Sequence, residues 1–241
     1  MRCFEISTEG FEGRGVYAPL PEQEKIVSEE YSREFSCTDC GLYNCRDHDK
    51  HFPPFCVTTN KLEDGEVEAM SALYASDSVD GIIARTSAQI EGRYYCQKTR
   101  VEETVLFIKA IGAKKVGIAT CIGCINEART FAKILQKNGI NYVSVACKVG
   151  GADKRDMGLA EEDKINKEGK DEVMCNPVLQ ARVLNRAGTD LNIVIGLCVG
   201  HDSLFYKYSE APVTTLFTKD RVLGHNAVAA LYSKYYNRLY T

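Results

Sequence analysis

The chain has 241 residues, 11 of them cysteine, with a formal net charge of −3 and 44% hydrophobic residues. That apolar share builds a core and excludes disorder as a description of the whole, and the near-balanced charge excludes electrostatic capture of nucleic acid or an anionic membrane. The longest apolar run, Ile193 to Gly200, is far short of the roughly 18 residues of a membrane span, and MRCFEISTEG at the start lacks a signal-peptide core. With an odd number of cysteines, the expectation is reduced thiols in the cytoplasm rather than a disulfide framework.

Residues 1–35 are polar and mixed, and read as an extension. Residues 36–60 hold Cys37, Cys40, Cys45 and Cys56 with His48, His51, Pro53 and Pro54. A segment this short and rich in turn formers has no core of its own and needs a metal to hold it. Residues 61–241 form the main domain. Between Glu66 and Gly112, apolar residues recur at spacings of three and four, which predicts two helices broken near Gly92. Strands follow at Lys115–Thr120, Tyr142–Ala146, Leu191–Leu197 and Val213–Thr218. Between them lie helices at Asn126–Asn138, with Gly139 after it, at Pro177–Ala187, with Asn176 as N-cap and Gly188 as C-cap, and at Asp202–Tyr208. A last helix is expected over Asn226–Arg238. Alternating strands and helices with nearly continuous apolar strands predict an α/β fold, a parallel Rossmann-like sheet of about four strands covered on both faces.

The thiols fall at particular places on this scheme. Cys121 follows the first strand, Cys147 the second, and Cys198 closes the third. In a parallel sheet with right-handed crossovers all strand carboxyl ends share one edge, where ligands bind. Cys175 stands at the amino end of the next helix, and Cys124 is in the first turn of the helix after Cys121, where the helix dipole favours a thiolate. Free cysteine often acts as a small buried hydrophobe, but packing gives no reason to choose the functional edge each time. The expected site is a cluster bound by thiolates with one iron open to substrate, with Zn²⁺ on the same thiols second. Cys3 and Cys96 have no assigned role. The N-terminal spacing C-x2-C-x4-C-x10-C supplies four further thiols, with His48 and His51 as substitute ligands.

Gly196-Leu197-Cys198-Val199-Gly200 also matches a nucleophile elbow with Cys in place of Ser, followed by Asp220 and His225 in hydrolase order. The four residues between Asp220 and His225, and the shortness of the chain beyond Cys198, weigh against it. His201 and Asp202 are better placed as proton donors or substrate contacts beside a metal. Lys148, near Gly150-Gly151, together with Lys219 and Arg221, would bind an anionic substrate. The charged segment from Gly150 to Met174 joins Cys147 to Cys175 and reads as a lid or a solvated excursion.

The stretches SVACKVGG (144–151), MCNPVLQA (174–181), GLCVGHDSLF (196–205), APVTTLFTKDRVLGHN (211–226) and TRVEET (99–104), with CTDCGLYNCR (37–46), are familiar together. Over residues 36–236 the chain resembles a prokaryotic family of unknown function whose members are predicted metal-binding proteins. The resemblance implies cysteine-ligated metal, an iron–sulfur cluster ([4Fe–4S]) before zinc, through Cys37, Cys40, Cys45 and Cys56 and through Cys147, Cys175, Cys198, His201 and Asp202. It supplies no reaction. The combined expectation is an iron–sulfur protein acting on a small anionic molecule in the manner of a desulfidase or dehydratase, or relaying electrons to a redox partner. A zinc-stabilised ligand-binding protein and a Cys198 hydrolase are the alternatives.

Overall fold

The computed structural model describes residues 36–47, 49, 51–166 and 169–239. The 1–35 extension with Cys3, and His48, lie outside the described residues. The chain divides into two compact units, Met1–Val67 and Glu68–Thr241.

In the first unit a 3-10 turn spans Cys37–Asp39, with the Ser36 hydroxyl accepting from the Thr38 amide. The Cys40 amide donates to the Cys37 carbonyl at 3.2 Å, which is the tight turn that the C-x2-C spacing requires. A short helix α1 (Val57–Asn60) follows with Cys56 as its N-cap.

Three helices, not two, lie between residues 66 and 110: α2 (Glu66–Ala75), α3 (Val79–Tyr94) and α4 (Arg100–Ala110). Gly92 sits inside α3. The breaks fall where side chains can cap a new helix. Ser78 accepts from the Gly81 amide, and Thr99 forms a capping box with Glu102. Those local hydrogen bonds outweigh the modest cost of a glycine in a helix interior.

The second unit is built on four parallel strands, β1 (Lys115–Thr120), β2 (Asn141–Ala146), β3 (Leu191–Ile195) and β4 (Val213–Phe217), in the order β2-β1-β3-β4. Helix α5 (Ile125–Lys137) joins β1 to β2, and α6 (Pro177–Ala187) joins β2 to β3. The two crossovers run in opposite directions along the sheet, so right-handedness puts their helices on opposite faces. Helix α7 (His201–Tyr208) packs against α6. This is the expected α/β fold. Ile118, Ile193, Leu135, Leu184 and Phe205 are fully buried at its centre. At Gly117 a Cβ would lie 1.9 Å from the Asn192 Oδ1 and 2.8 Å from Leu184, so α6 approaches β1 closely only because that position is glycine. Asn192 is itself buried and satisfied, accepting from Thr189 and donating to Ser209, each at 2.8 Å.

The expected terminal helix over Asn226–Arg238 is not continuous: α8 covers Ala229–Tyr232 and a 3-10 segment covers Lys234–Leu239. Ser233 is extended, and its hydroxyl accepts from the Tyr235 amide. Here serine's competition for backbone groups ends a helix already weakened by several tyrosines. The segment between β2 and α6 carries 3-10 turns at Lys154–Met157 and Glu161–Asp163. Lys154 pairs with Glu172 at 2.6 Å, and Glu172 also accepts from the Ile165 and Asn166 amides. Among the described residues no helix is long and apolar enough to cross a membrane.

Candidate functional site

The strand register brings the thiols together. Thr120 is level with Ala146 on β2 and with Ile195 on β3. One residue further, Cys121, Cys147 and Gly196 therefore stand side by side at the carboxyl edge. The Cys147 amide donates to the Thr120 carbonyl at 2.8 Å and the Cys121 amide to the Ile195 carbonyl at 3.1 Å, extending the ladder to both residues. Strand order reverses between β1 and β3, the switch point where open α/β sheets bind ligands. Cys121 and Cys198 flank it. Buried Gln180 on α6 braces the neighbouring gap by donating from one amide nitrogen to the Thr120 carbonyl at 3.2 Å and the Val145 carbonyl at 2.7 Å.

Three sulfurs form a row. Cys147 Sγ lies 3.7 Å from Cys175 Sγ and is hydrogen-bonded to Cys121 on its other side. Cys175 enters the row because the Asn176 amide, just after it, donates to the Cys147 carbonyl at 2.7 Å. Hydrogen bonding along this row separates the three thiols chemically. The hydrogen bond from Cys147 brings Cys121 down to about 5, against desolvation. Its own hydrogen bond with Cys147, joined by one with His201, brings Cys175 down to about 4. Cys147, flanked by the two and buried, is pushed far up and keeps its proton. His201 is raised by its bond to Cys175, burial opposing. Cys147 also accepts from the Ile122 amide at 3.3 Å.

The cations take positions against the sulfurs. Arg221 donates to Cys198 Sγ at 3.0 Å; burial raises the Cys198 thiol and Arg221 opposes that rise. Lys219 donates to Cys124 Sγ at 3.2 Å. Burial works against the lysine's charge, but that bond and the nearby sulfurs leave it raised. The Lys148 ammonium donates to the Val173 carbonyl, anchoring the return of the 148–175 excursion. Asp202 accepts from the Ser203 amide at 2.8 Å within its own helix.

His225 does not meet Cys198. Its Nδ1 accepts from the Asp220 amide at 3.1 Å, its Nε2 lies 3.7 Å from Cys124 Sγ, and its ring stacks on Phe217. The elbow residue Cys198 is not among the positive-φ residues of the described chain, so the strained turn and the base that a Cys198 hydrolase needs are not brought together.

All ten described cysteines are free thiols. Among the described residues no group of three or more His, Cys, Asp and Glu side chains stands ready to close on a metal ion. In the N-terminal knot Cys37 and Cys45 are exposed, Cys40 and Cys56 half-buried, and the Thr58 hydroxyl lowers the Cys56 thiol. Two cavities of about 380 and 400 Å³ lie elsewhere, the first lined by Ile83, Ile90, Arg100, Phe107 and Val213, the second by Ile82, Ile111 and Asp190. Neither contains a thiol.

Placing the thiols on strand ends was accessible to sequence reasoning. The pairing of Cys124 with Lys219 and His225 was not, although Cys121-Ile122-Gly123-Cys124 at a strand-to-helix turn was the available signal.

A family model described as protein of unknown function (DUF1847) matches residues 56–216, and the chain belongs to that family. The match takes in Cys56 and every strand-end thiol but begins after Cys45 and ends before Lys219, a narrower span than the expected 36–236. The uncharacterized protein MJ0455 of Methanocaldococcus jannaschii is 56% identical over 154 residues, 64% of this chain and 77% of the relative.

Proposed function

We propose that the protein is a cytoplasmic metal-thiolate protein whose working centre is the carboxyl edge of the sheet. Cys121, Cys147, Cys175 and Cys198 are the ligands there. Lys219 and Arg221, with Lys148, His201 and Asp202 beside them, receive a small anionic molecule. The observation that carries this is the 3.7 Å separation of Cys147 and Cys175 sulfurs. Two thiolates on one tetrahedral ion, with metal–sulfur bonds of about 2.3 Å, sit about 3.8 Å apart. This spacing suits a single ion. The iron–sulfur reading is supported by a different observation, the N–H donors at the sulfurs of Cys147 and Cys198, of the kind that tune clusters. Cys37, Cys40, Cys45 and Cys56 form a second thiolate site in the knot.

A metal so held supplies Lewis acidity. The chain's own groups do the rest: Arg221 and Lys219 bind negative charge, and His201, hydrogen-bonded to Cys175, holds a proton at the edge of the site. Anaerobic purification with metal analysis and an absorbance spectrum tests the reading. Iron with matching acid-labile sulfide at about four atoms per cluster, or zinc at one or two equivalents per chain, reduced in either case on Cys147→Ser, supports it. Metal-free protein, or metal unaffected by Cys147→Ser, overturns it.

A further inference from the structure

Among the described residues Cys124 is the buried thiol that the metal reading leaves unused. It is fully buried. Its sulfur faces Lys219 Nζ at 3.2 Å and His225 Nε2 at 3.7 Å. Because the Asp220 amide donates to Nδ1, neutral His225 carries its proton on Nε2, aimed at the sulfur. Two residues are small to make room for this arrangement. A Cβ on Gly196 would lie 2.4 Å from Cys124 Sγ, and one on Gly123 would lie 3.0 Å from Lys219 Nζ and 3.9 Å from Cys121 Sγ. Lys219 therefore lies over the turn that links the two cysteines.

That turn is Cys121-Ile122-Gly123-Cys124, between β1 and α5. The Cys124 amide donates to the Cys121 carbonyl at 2.8 Å, a geometry that holds the first and fourth Cα atoms within about 7 Å, near the range a disulfide spans. Ile122 and Gly123 are exposed while both cysteines are buried, so a partner reaches the pair over the middle of the turn. A C-x-x-C at the start of a helix in a βαβ unit is the arrangement of dithiol redox sites.

We propose that Cys121 and Cys124 are a redox-active dithiol that exchanges with disulfides of small thiols or proteins. The Cys121 sulfur attacks one sulfur of the incoming disulfide, forming a mixed disulfide and releasing one thiolate. The Cys124 sulfur then attacks Cys121, closing the Cys121–Cys124 bond and releasing the second thiolate. Protein dithiol plus disulfide gives protein disulfide plus two thiols; two electrons and two protons pass to the substrate. Lys219 and His225 stabilise the Cys124 thiolate, the form in which that sulfur attacks Cys121 and in which it leaves when the bond is reduced again. Exchange goes beyond the metal reading and shares one residue with it: closing the bond withdraws Cys121 from a metal.

The test uses the full chain, reduced and then equilibrated anaerobically in graded mixtures of reduced and oxidised glutathione, alkylated and digested with trypsin. The peptide Val116–Arg129 holds Cys121 and Cys124 and no other cysteine. It is expected to pass reversibly from doubly alkylated to unalkylated with two hydrogens lost, identically in Cys96→Ser. In Lys219→Met the same conversion is expected at about tenfold less oxidant, because the reduced form has lost its donor. A peptide that stays doubly alkylated at every ratio, or that crosslinks to the Cys147 or Cys175 peptide instead, overturns the proposal. Retained metal with no Cys121–Cys124 bond sinks the dithiol alone; a cycling bond in a protein that never binds metal sinks the metal centre alone.

Discussion

Lys219 and Cys124, 95 residues apart in the chain, meet at 3.2 Å. The contact joins the loop after β4 to the first turn of α5, and it exists because three strands end level with one another. Its tightest neighbour is Gly196, where φ is +62° and a Cβ would overlap the Cys124 sulfur. Gly196→Ala is expected to cost about 2–4 kcal/mol, the sum of left-handed strain and overpacking. Urea unfolding of variant and parent measures it, and a loss under about 0.5 kcal/mol would mean that the strand end repacks freely.

Arg221 and burial act oppositely on Cys198. With Arg221→Ala, burial and the neighbouring Cys121 and Cys175 sulfurs remain, and the thiol rises further from its already raised position. Alkylation of Cys198 by iodoacetamide at pH 7.5 in metal-free protein is expected to slow by about tenfold, since the thiolate is the reacting form. An unchanged rate, read peptide by peptide, would show that the 3.0 Å contact has no influence on the sulfur.

Glu102 closes the capping box of α4 and is held down to about 2, first by the Thr99 amide and then by Lys98. A depressed carboxyl stabilises the fold above its unfolded value of about 4.3 and loses that contribution as pH falls toward 2. The denaturation midpoint of Glu102→Gln is therefore expected below the parent's at pH 7, with the gap narrowing as the pH falls below about 4 and closing only below about 2. A gap independent of pH would assign the effect to packing instead.

The knot answers to its thiols. Cys40→Ser is expected to lower the metal content of the chain by about one site's worth relative to Cys96→Ser, measured by elemental analysis after anaerobic purification. Equal content in the two variants would remove Cys37, Cys40, Cys45 and Cys56 from the ligand set.

The parallel sheet was legible because its strands are apolar runs bounded by Gly, Asn and Pro, and Pro177–Ala187 was legible to the residue because Asn176 and Gly188 mark both ends. The first and last helical regions were not. Gly92 attracted the break that Ser78 and Thr99 make through their side chains, and Ser233 ended a helix that apolar spacing alone extends to Arg238. Within the site, Cys121, Cys147 and Cys198 followed from strand order. Cys124, Lys219 and His225 did not, since their meeting depends on where a loop 95 residues downstream returns, and periodicity carries no such information.

Arg100 donates to the Thr215 carbonyl at 2.7 Å and to the Thr214 hydroxyl at 3.2 Å. Among the described residues β4 pairs with β3 alone, so its far side is where another chain could add a strand. An arginine already seated on that carbonyl makes the outer margin of the sheet a poor template for self-association. Truncating Arg100 thus bears on solubility during concentration or storage, a property that the thiols, at the carboxyl edge, do not govern.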